Sequence, residues 1–446
     1  MATQVFPANF FWGTATASFQ IEGATREDGR SESIWDRFAA TPGKIRTGET
    51  GDPACDSYHR YKDDIAIMRE LGLNAYRFSI AWPRVIPDGD GAINAAGLDY
   101  YDRLVDALRA AGIEPFVTLY HWDLPQALQD RGGWAERATV EAFVRYVDAV
   151  VERLGDRVKY WATHNEPWCI AILSNEIGEH APGLRSRLTA LQVAHNVLLS
   201  HGQAVPLIHQ RCPDGQVGIV LNFTPAYPAT DSAADQLATR LVNARVNRWF
   251  IDPLTGHGYP QDAWEYYGAD VPQIMHGDME TIAAPLDFLG VNYYTRSVCR
   301  DLTGGASGRI LNQRDNGNVT DRDWEIFPQG MYDLLTWLND EYRFPQLFLT
   351  ENGASYDDTI AADGHIHDPA RQEFLRQHLT TLLRAIDAGV PLQGYFCWTL
   401  MDNFEWTFGT SSRFGLAYTD FTSQRRIIKD SGYWYGRVAH ANALVD

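Results

Sequence analysis

Basic residues are scarce in this chain. Its 446 residues carry 38 Lys+Arg against 57 Asp+Glu, a formal charge of −19, whereas a nucleic-acid binder needs a basic footprint. Cysteine is scarce as well: Cys55, Cys169, Cys212, Cys299 and Cys397 are odd in number, scattered and without C-x-x-C spacing. That pattern disfavours a disulfide frame and suits free buried thiols in a reducing compartment. No run approaches the ~18 uninterrupted apolar residues of a membrane span, and no Lys or Arg precedes Arg26, so the start lacks the basic head of a signal peptide. A soluble, cytoplasmic protein without nucleic-acid or membrane partners is expected, its oligomeric state open. Asn222-Phe223-Thr224 and Asn318-Val319-Thr320 match the glycosylation sequon at chance frequency and would stay bare there. Pro/Ser/Gly linkers are missing too, so residues 1–446 are read as one domain. With 45% apolar residues, 21% charged and a mean hydropathy of −0.31, disordered and collagen-like architectures are excluded.

What is present alternates. Apolar residues recur every three or four positions in Tyr58, Tyr61, Ile65, Met68 and Leu71, and Gly72 follows, the spacing of an amphipathic helix with a glycine stop. Leu98 to Leu108 before Gly112, Val140 to Leu154 before Gly155, and Phe374 to Ile386 before Gly389 repeat it. After each glycine comes a short apolar or β-branched run: Leu73 to Ile80, Ile113 to Tyr120, Val158 to Thr163 and Val390 to Thr399. Phe11 to Ala17, Val217 to Phe223, Leu286 to Tyr293 and Gln346 to Thr350 bring the candidate strands to eight. Such alternation requires a parallel sheet covered by helices. Eight strands favour an α/β fold of the closed (β/α)8 type, a TIM barrel with extended βα loops, over an open doubly wound sheet. The glycine-bearing stretch from Leu302 to Asn318 reads as a long loop inside the unit.

The C-terminal strand ends, where a barrel assembles its active site, carry polar residues in every case. They are Gln20 and Glu22 after the first strand, Arg77 on the second, His121-Trp122 after the third and Asn165-Glu166 after the fourth. Asn222 lies on the fifth, Asn292-Tyr293-Tyr294 on the sixth, Glu351-Asn352 after the seventh and Trp398 on the eighth. Solvated turns explain one or two such positions; all eight are hard to attribute to turns. Glu166 and Glu351 would face each other across the mouth, since the fourth and seventh strands lie on opposite sides. Alone, each would be read as a surface or N-cap carboxylate, but each follows an apolar run and is bracketed by Asn and a turn residue. Opposed carboxyl groups flanking a cleft are what cleavage of a glycosidic bond requires.

These segments resemble family 1 of the glycoside hydrolases, the β-glucosidase family, nearly end to end. The likeness runs from Phe10-Phe11-Trp12-Gly13-Thr14-Ala15-Thr16-Ala17-Ser18-Phe19-Gln20-Ile21-Glu22-Gly23 through Tyr76-Arg77-Phe78-Ser79-Ile80-Ala81-Trp82 and Tyr120-His121-Trp122-Asp123-Leu124-Pro125. It continues through Asn165-Glu166-Pro167 and Thr350-Glu351-Asn352-Gly353 to Asp402-Asn403-Phe404-Glu405-Trp406 and Arg413-Phe414-Gly415-Leu416. The resemblance implies a single (β/α)8 barrel and an O-glycosyl hydrolase acting on β-linked sugars with retention, without cofactor or metal. It makes Glu351 the nucleophile and Glu166 the general acid and then base, with Asn165 beside them. Carboxyl groups about 5–5.5 Å apart would let Glu351 raise the proton affinity of Glu166. Arg77 and Tyr294 would be the ion-pair and hydrogen-bond partners of Glu351, although a buried Arg can also tie strands together.

Gln20, His121, Asn165, Glu405 and Trp406 would hydrogen-bond sugar hydroxyls while Trp398 floors the ring. Trp122, Asn292, Tyr294 and Phe414 complete the sugar-contacting set. Trp168, Asn222 and Trp324 are candidates for the leaving-group side; Trp12, Trp35 and Trp161 read as core. A carboxylate at Glu405 would repel a phosphate, so unphosphorylated sugars are expected: terminal non-reducing β-D-glucosyl residues of small glycosides and cello-oligosaccharides. Two departures stand out. Ser174 to Ile177 do not resemble the glycine- and aromatic-bearing loop expected there, which puts leaving-group preference in doubt. His164 replaces a more usual apolar neighbour of Asn165.

Rival readings are weaker. No H-x-x-x-H helix supports a metal hydrolase, and His365-Ile366-His367-Asp368 reads as a solvated turn. Gly256-His257-Gly258 does not continue as a dinucleotide fingerprint. A catalytically silent sugar-binding barrel, a 6-phospho-β-glycosidase and a transglycosylase remain as alternatives. Glucoside is not separated from galactoside or fucoside.

Overall fold

The amphipathic segments fold as helices because each has one apolar face and a stop. In the computed structural model, which describes residues 5–301, 309–311 and 318–446, they are α1 (Ser57–Glu70), α2 (Ala95–Ala110) and α3 (Arg137–Leu154). Then come α4 (Arg187–Arg211), α5 (Ala233–Asn243), α6 (Pro328–Glu341), α7 (Pro369–Asp387) and α8 (Asp430–Ala441). Gly72, Gly112 and Gly389 leave their helices at φ of 67°, 73° and 93°, a left-handed turn that a side chain would oppose.

Eight parallel strands alternate with these helices: β1 (Phe11–Ala15), β2 (Ala75–Ser79), β3 (Glu114–Tyr120), β4 (Tyr160–Asn165), β5 (Gln216–Phe223), β6 (Phe288–Tyr293), β7 (Leu347–Asn352) and β8 (Leu392–Trp398). Each pairs with the next, and β8 closes on β1 with Ala15 opposite Trp398. The fold is thus the closed (β/α)8 barrel expected. Strand ends differ from expectation by at most two residues. β4 and β7 run on to include Asn165, Glu351 and Asn352, because the polar ends still pair with their neighbours.

Aromatic rings plug the barrel below the mouth. Phe116 stacks on Tyr160 at 4.1 Å, Phe396 meets Phe116 at 4.8 Å, and Phe348 and Phe288 are 5.3 Å apart. These rings make the interior apolar, and polar side chains collect instead at the C-terminal ends of the strands. Trp12, Trp35 and Trp161 are core, and the five cysteines are buried thiols. The predicted loop from Leu302 to Asn318 lies mostly outside the described residues; within it Arg309–Leu311 pair antiparallel with Ser297–Arg300. Ser174 to Ile177 are not loop but the end of a helical segment, Cys169–Ile177, of π type. Among the described residues no helix is long and apolar enough to cross a membrane.

The turn after β7 has no spare room. A Cβ on Gly353 would sit 1.9 Å from the Trp398 carbonyl oxygen, so Gly353→Ala must push β7 and β8 apart. Such overpacking typically costs about 1–3 kcal/mol, and urea unfolding should show that loss as a lower midpoint at an unchanged slope. A midpoint equal to that of the parent would mean that the two strand ends yield freely.

Candidate active site

Both glutamates emerge where a ladder breaks register. β4 shifts against β5 between Ala162 and Asn165, and β7 shifts against β6 between Leu349 and Glu351; such irregularities re-aim side chains. Glu166 itself has φ 53°, and Trp122 and Trp406 have φ of 83° and 46°. Three non-glycine residues held in the left-handed region around one cleft mark a strained, over-determined site. The cleft measures about 370 Å3 and is lined by Glu166, Glu351, His121, Trp122, Trp168, Asn222, Asn292, Tyr294, Trp324, Trp398, Glu405, Trp406 and Phe414 among others. Gln20, Arg77 and Asn165 are fully buried behind this wall rather than on it.

One hydrogen-bonded chain joins the two carboxylates. Arg77 donates from Nη1 to Glu351 Oε1 and from Nη2 to Asn165 Oδ1, both at 2.6 Å. A guanidinium cannot accept, so Asn165 presents its oxygen to Arg77 and its Nδ2 to His121 Nε2 at 3.0 Å. Asn292 Nδ2 then bridges Asn165 Oδ1 at 3.1 Å and Glu166 Oε1 at 2.7 Å. Tyr294 donates to Glu351 Oε2 at 2.7 Å. Burial, and then the Glu351 charge, push the Glu166 carboxyl above its ordinary range, against the opposing pull of Asn292, Cys169 and Arg77. Burial and the same two carboxylates push the Tyr294 phenol well up, so it remains a donor.

His121 accepts through Nε2, so its proton sits on Nδ1; burial, then Arg77, hold the ring neutral. That Nδ1 is buried without a partner, and so is Gln20 Oε1. Unpaired buried polar atoms are costly, and beside an open cleft they leave a donor and an acceptor for incoming hydroxyl groups. Gln20 Nε2 meanwhile donates to Asn403 Oδ1, the Phe404 carbonyl and Glu405 Oε2. The loop carrying Glu405, Trp406 and Phe414 is pinned through Asp402, which accepts from Lys429 Nζ at 2.7 Å and Arg413 at 2.8 Å. Trp398 and Trp406 flank His121, with ring centroids 6.0 and 5.9 Å away. Trp324 packs 5.2 Å from Tyr294.

Glu22, grouped with the strand-end residues, turns away: it pairs with Arg84 at 3.0 Å and accepts from Tyr101 at 2.7 Å. Three contacts were not anticipated. Cys169 Sγ donates to Glu166 Oε2 at 3.1 Å, Thr350 Oγ1 to Asn292 Oδ1 at 2.7 Å, and Arg322 approaches Glu405 Oε1 at 3.5 Å. Cys169, three positions after Glu166 and so one helical turn away, offered a local signal; the other two did not.

A sequence model of the family described as glycosyl hydrolase family 1 matches residues 2–444. The chain belongs to glycosyl hydrolase family 1. It is an O-glycosyl hydrolase. It is 45% identical to β-glucosidase A of Acetivibrio thermocellus over 100% of both chains. It is 44% identical to a 1,4-β-D-glucan glucohydrolase of Thermotoga neapolitana over 99% of both. The solved structure of the Thermotoga maritima β-glucosidase in complex with deoxynojirimycin superposes with a TM-score of 0.97 at 44% identity, covering 99% of this chain and 100% of that one. Family 1 membership thus agrees with the barrel and with a cleft holding two opposed glutamates.

Proposed function

We propose that this family 1 enzyme is a retaining β-glucosidase acting on unphosphorylated small β-glucosides and cello-oligosaccharides. The observation that carries the reading is the chain Glu351–Arg77–Asn165–Asn292–Glu166, which holds two buried carboxyl groups in one cleft in different environments. Glu351 faces a cation and a phenol donor, as a nucleophile should. Glu166 is pushed toward its protonated form by burial and by the Glu351 charge, as a general acid should be. In the first step Glu351 Oε attacks the anomeric carbon while the Glu166 proton passes to the departing glycosidic oxygen. The glycosyl ester removes the Glu351 charge, and Glu166, now a carboxylate, takes a proton from water as that water attacks the same carbon, breaking the ester bond and releasing Glu351 as a carboxylate. The two inversions give net retention.

Gln20, His121, Glu405 and Trp406 supply polar contacts for the sugar and Trp398 an apolar face. Trp168, Asn222 and Trp324 border the side where the leaving group departs. The relatives' names, a β-glucosidase and a glucan glucohydrolase, support a glucosyl glycone. A location in the cytoplasm and a single catalytic unit over residues 1–446 belong to the same proposal.

The test is the initial rate on p-nitrophenyl β-glucoside beside its 6-phosphate and the β-galactoside, with the first-formed anomer followed by proton NMR. Fastest turnover of the unphosphorylated glucoside with β-glucose appearing first is expected. An α-anomer would break the two-step mechanism, and preference for the phosphate would break the reading of Glu405.

A further inference from the structure

Among the described residues lining the cleft, Arg322 is the single guanidinium, and the reaction above does not use it. It lies two positions before Trp324 on the strap of residues 318–327 that precedes α6. Its guanidinium lies 3.4 Å from the Phe408 ring centroid and 5.0 Å from that of Trp324. Its side chain is only 14% exposed, and Nη1 stands 3.5 Å from Glu405 Oε1. Glu405 is thus held from two sides, by Gln20 on Oε2 at 3.3 Å and by Arg322 on Oε1. Stacking on two rings restricts the arginine far more than a solvent-exposed pair would be restricted.

We propose that Arg322 is a specificity-determining positioning residue, which orients and charges Glu405 and so sets how strongly hydroxyl groups at that end of the cleft are read. The proposal rests on the reading of Glu405 as a sugar contact. A carboxylate free to rotate, or protonated, would not present two oriented acceptors. Burial, above all, pushes the Glu405 carboxyl up; Arg322 and the Gln20 amide favour its ionisation, and Glu351 and Asp321 oppose it. Tyr294, hydrogen-bonded to Glu351, is the nearby phenol whose ionisation the Glu405 charge also opposes. His121 and His180, both neutral through burial, pack against Trp406, and the Arg46 guanidinium lies 5.8 Å from the Phe408 ring centroid. Among the described residues Arg322 is the cation paired with Glu405. Removing it makes Glu405 easier to protonate, so sugar binding should fail at a higher pH than in the parent.

The experiment compares Arg322→Met, which keeps an apolar stem on Phe408, with Arg322→Lys, which keeps the charge. Each is assayed on p-nitrophenyl β-glucoside and on the β-xyloside, which lacks the hydroxymethyl group, with Glu405→Gln as a control. Arg322→Met should raise KM for the glucoside about tenfold with kcat little changed, the loss of a charge-assisted contact. Its preference for glucoside over xyloside should fall about fivefold or more, the acid limb of kcat/KM should move up in pH, and Arg322→Lys should recover most of each change. Unchanged KM, selectivity and pH profile in Arg322→Met would overturn the proposal, as would an equal loss on both substrates that lysine does not recover. If Glu405→Gln also leaves selectivity untouched, the reading of Glu405 fails; if only the arginine variants are silent, the positioning role alone fails. Should Arg322→Met prove unstable, Arg322→Gln carries the same expectations.

Discussion

Glu351→Gln should lose nearly all turnover, by about 10^4-fold or more, equivalent to at least ~5.5 kcal/mol of barrier. The amide is nearly the same size, so the cleft and its sugar contacts persist, but a neutral amide oxygen cannot form the glycosyl ester. The surroundings magnify the effect. Arg77 Nη1 sits 2.6 Å from one oxygen of Glu351 and the Tyr294 hydroxyl 2.7 Å from the other. Whichever way the amide turns, its NH2 meets either a guanidinium or a phenol that would rather donate, and Arg77 is left a buried cation without its counter-charge. Removing one member of a buried pair costs about 3–5 kcal/mol, so the variant should also melt at a lower temperature. Binding and stability separate these effects. Equilibrium binding of p-nitrophenyl β-glucoside to the folded variant, within about tenfold of the parent KM, would place the defect in the chemical step. Near-normal rates in a correctly folded Glu351→Gln would remove Glu351 from the role of nucleophile.

That residue was legible in the sequence for a local reason. The barrel strands are buried on both faces and read as unbroken apolar runs, so a carboxylate at the end of such a run is conspicuous. The same reasoning located Glu166, Arg77, His121, Asn292 and Trp398, all of which the structure places at the mouth or directly behind it. It misjudged Glu22, which occupies an equivalent position but is drawn to Arg84 and Tyr101. α4 escaped because it has no polar face to set a helical period: Leu191, Val193, Ala194, Val197, Leu198 and Leu199 are all buried around its circumference. The strap contact of Arg322 with Glu405 joins residues 83 positions apart, and that of Thr350 with Asn292 spans 58. Pairings of that kind depend on barrel closure, and no period or spacing along the chain encodes them.

Glu166→Ala should divide substrates by the acidity of their leaving alcohol. For an alkyl β-glucoside the departing oxygen must be protonated as the bond breaks, and the loss of a positioned acid lowers kcat/KM by about 10^2–10^4-fold. A dinitrophenolate leaves unaided, so kcat/KM for the dinitrophenyl glucoside should fall by less than about tenfold. Its kcat should drop much further, because the same side chain is the base that activates water, and the glycosyl-enzyme accumulates. Azide needs no base; entering the space left by the carboxylate, it should restore turnover and release β-glucosyl azide, the anomer required by attack opposite Glu351. The pH profile gives an independent reading. In the parent, raising the pH removes the Glu166 proton, and since burial and Glu351 raise that carboxyl's proton affinity, the basic limb of kcat/KM should lie well above the ordinary carboxylate range. In Glu166→Ala that limb should vanish for the dinitrophenyl substrate. Equal losses on alkyl and dinitrophenyl glucosides, with the basic limb still in place, would show that the proton comes from elsewhere in the cleft.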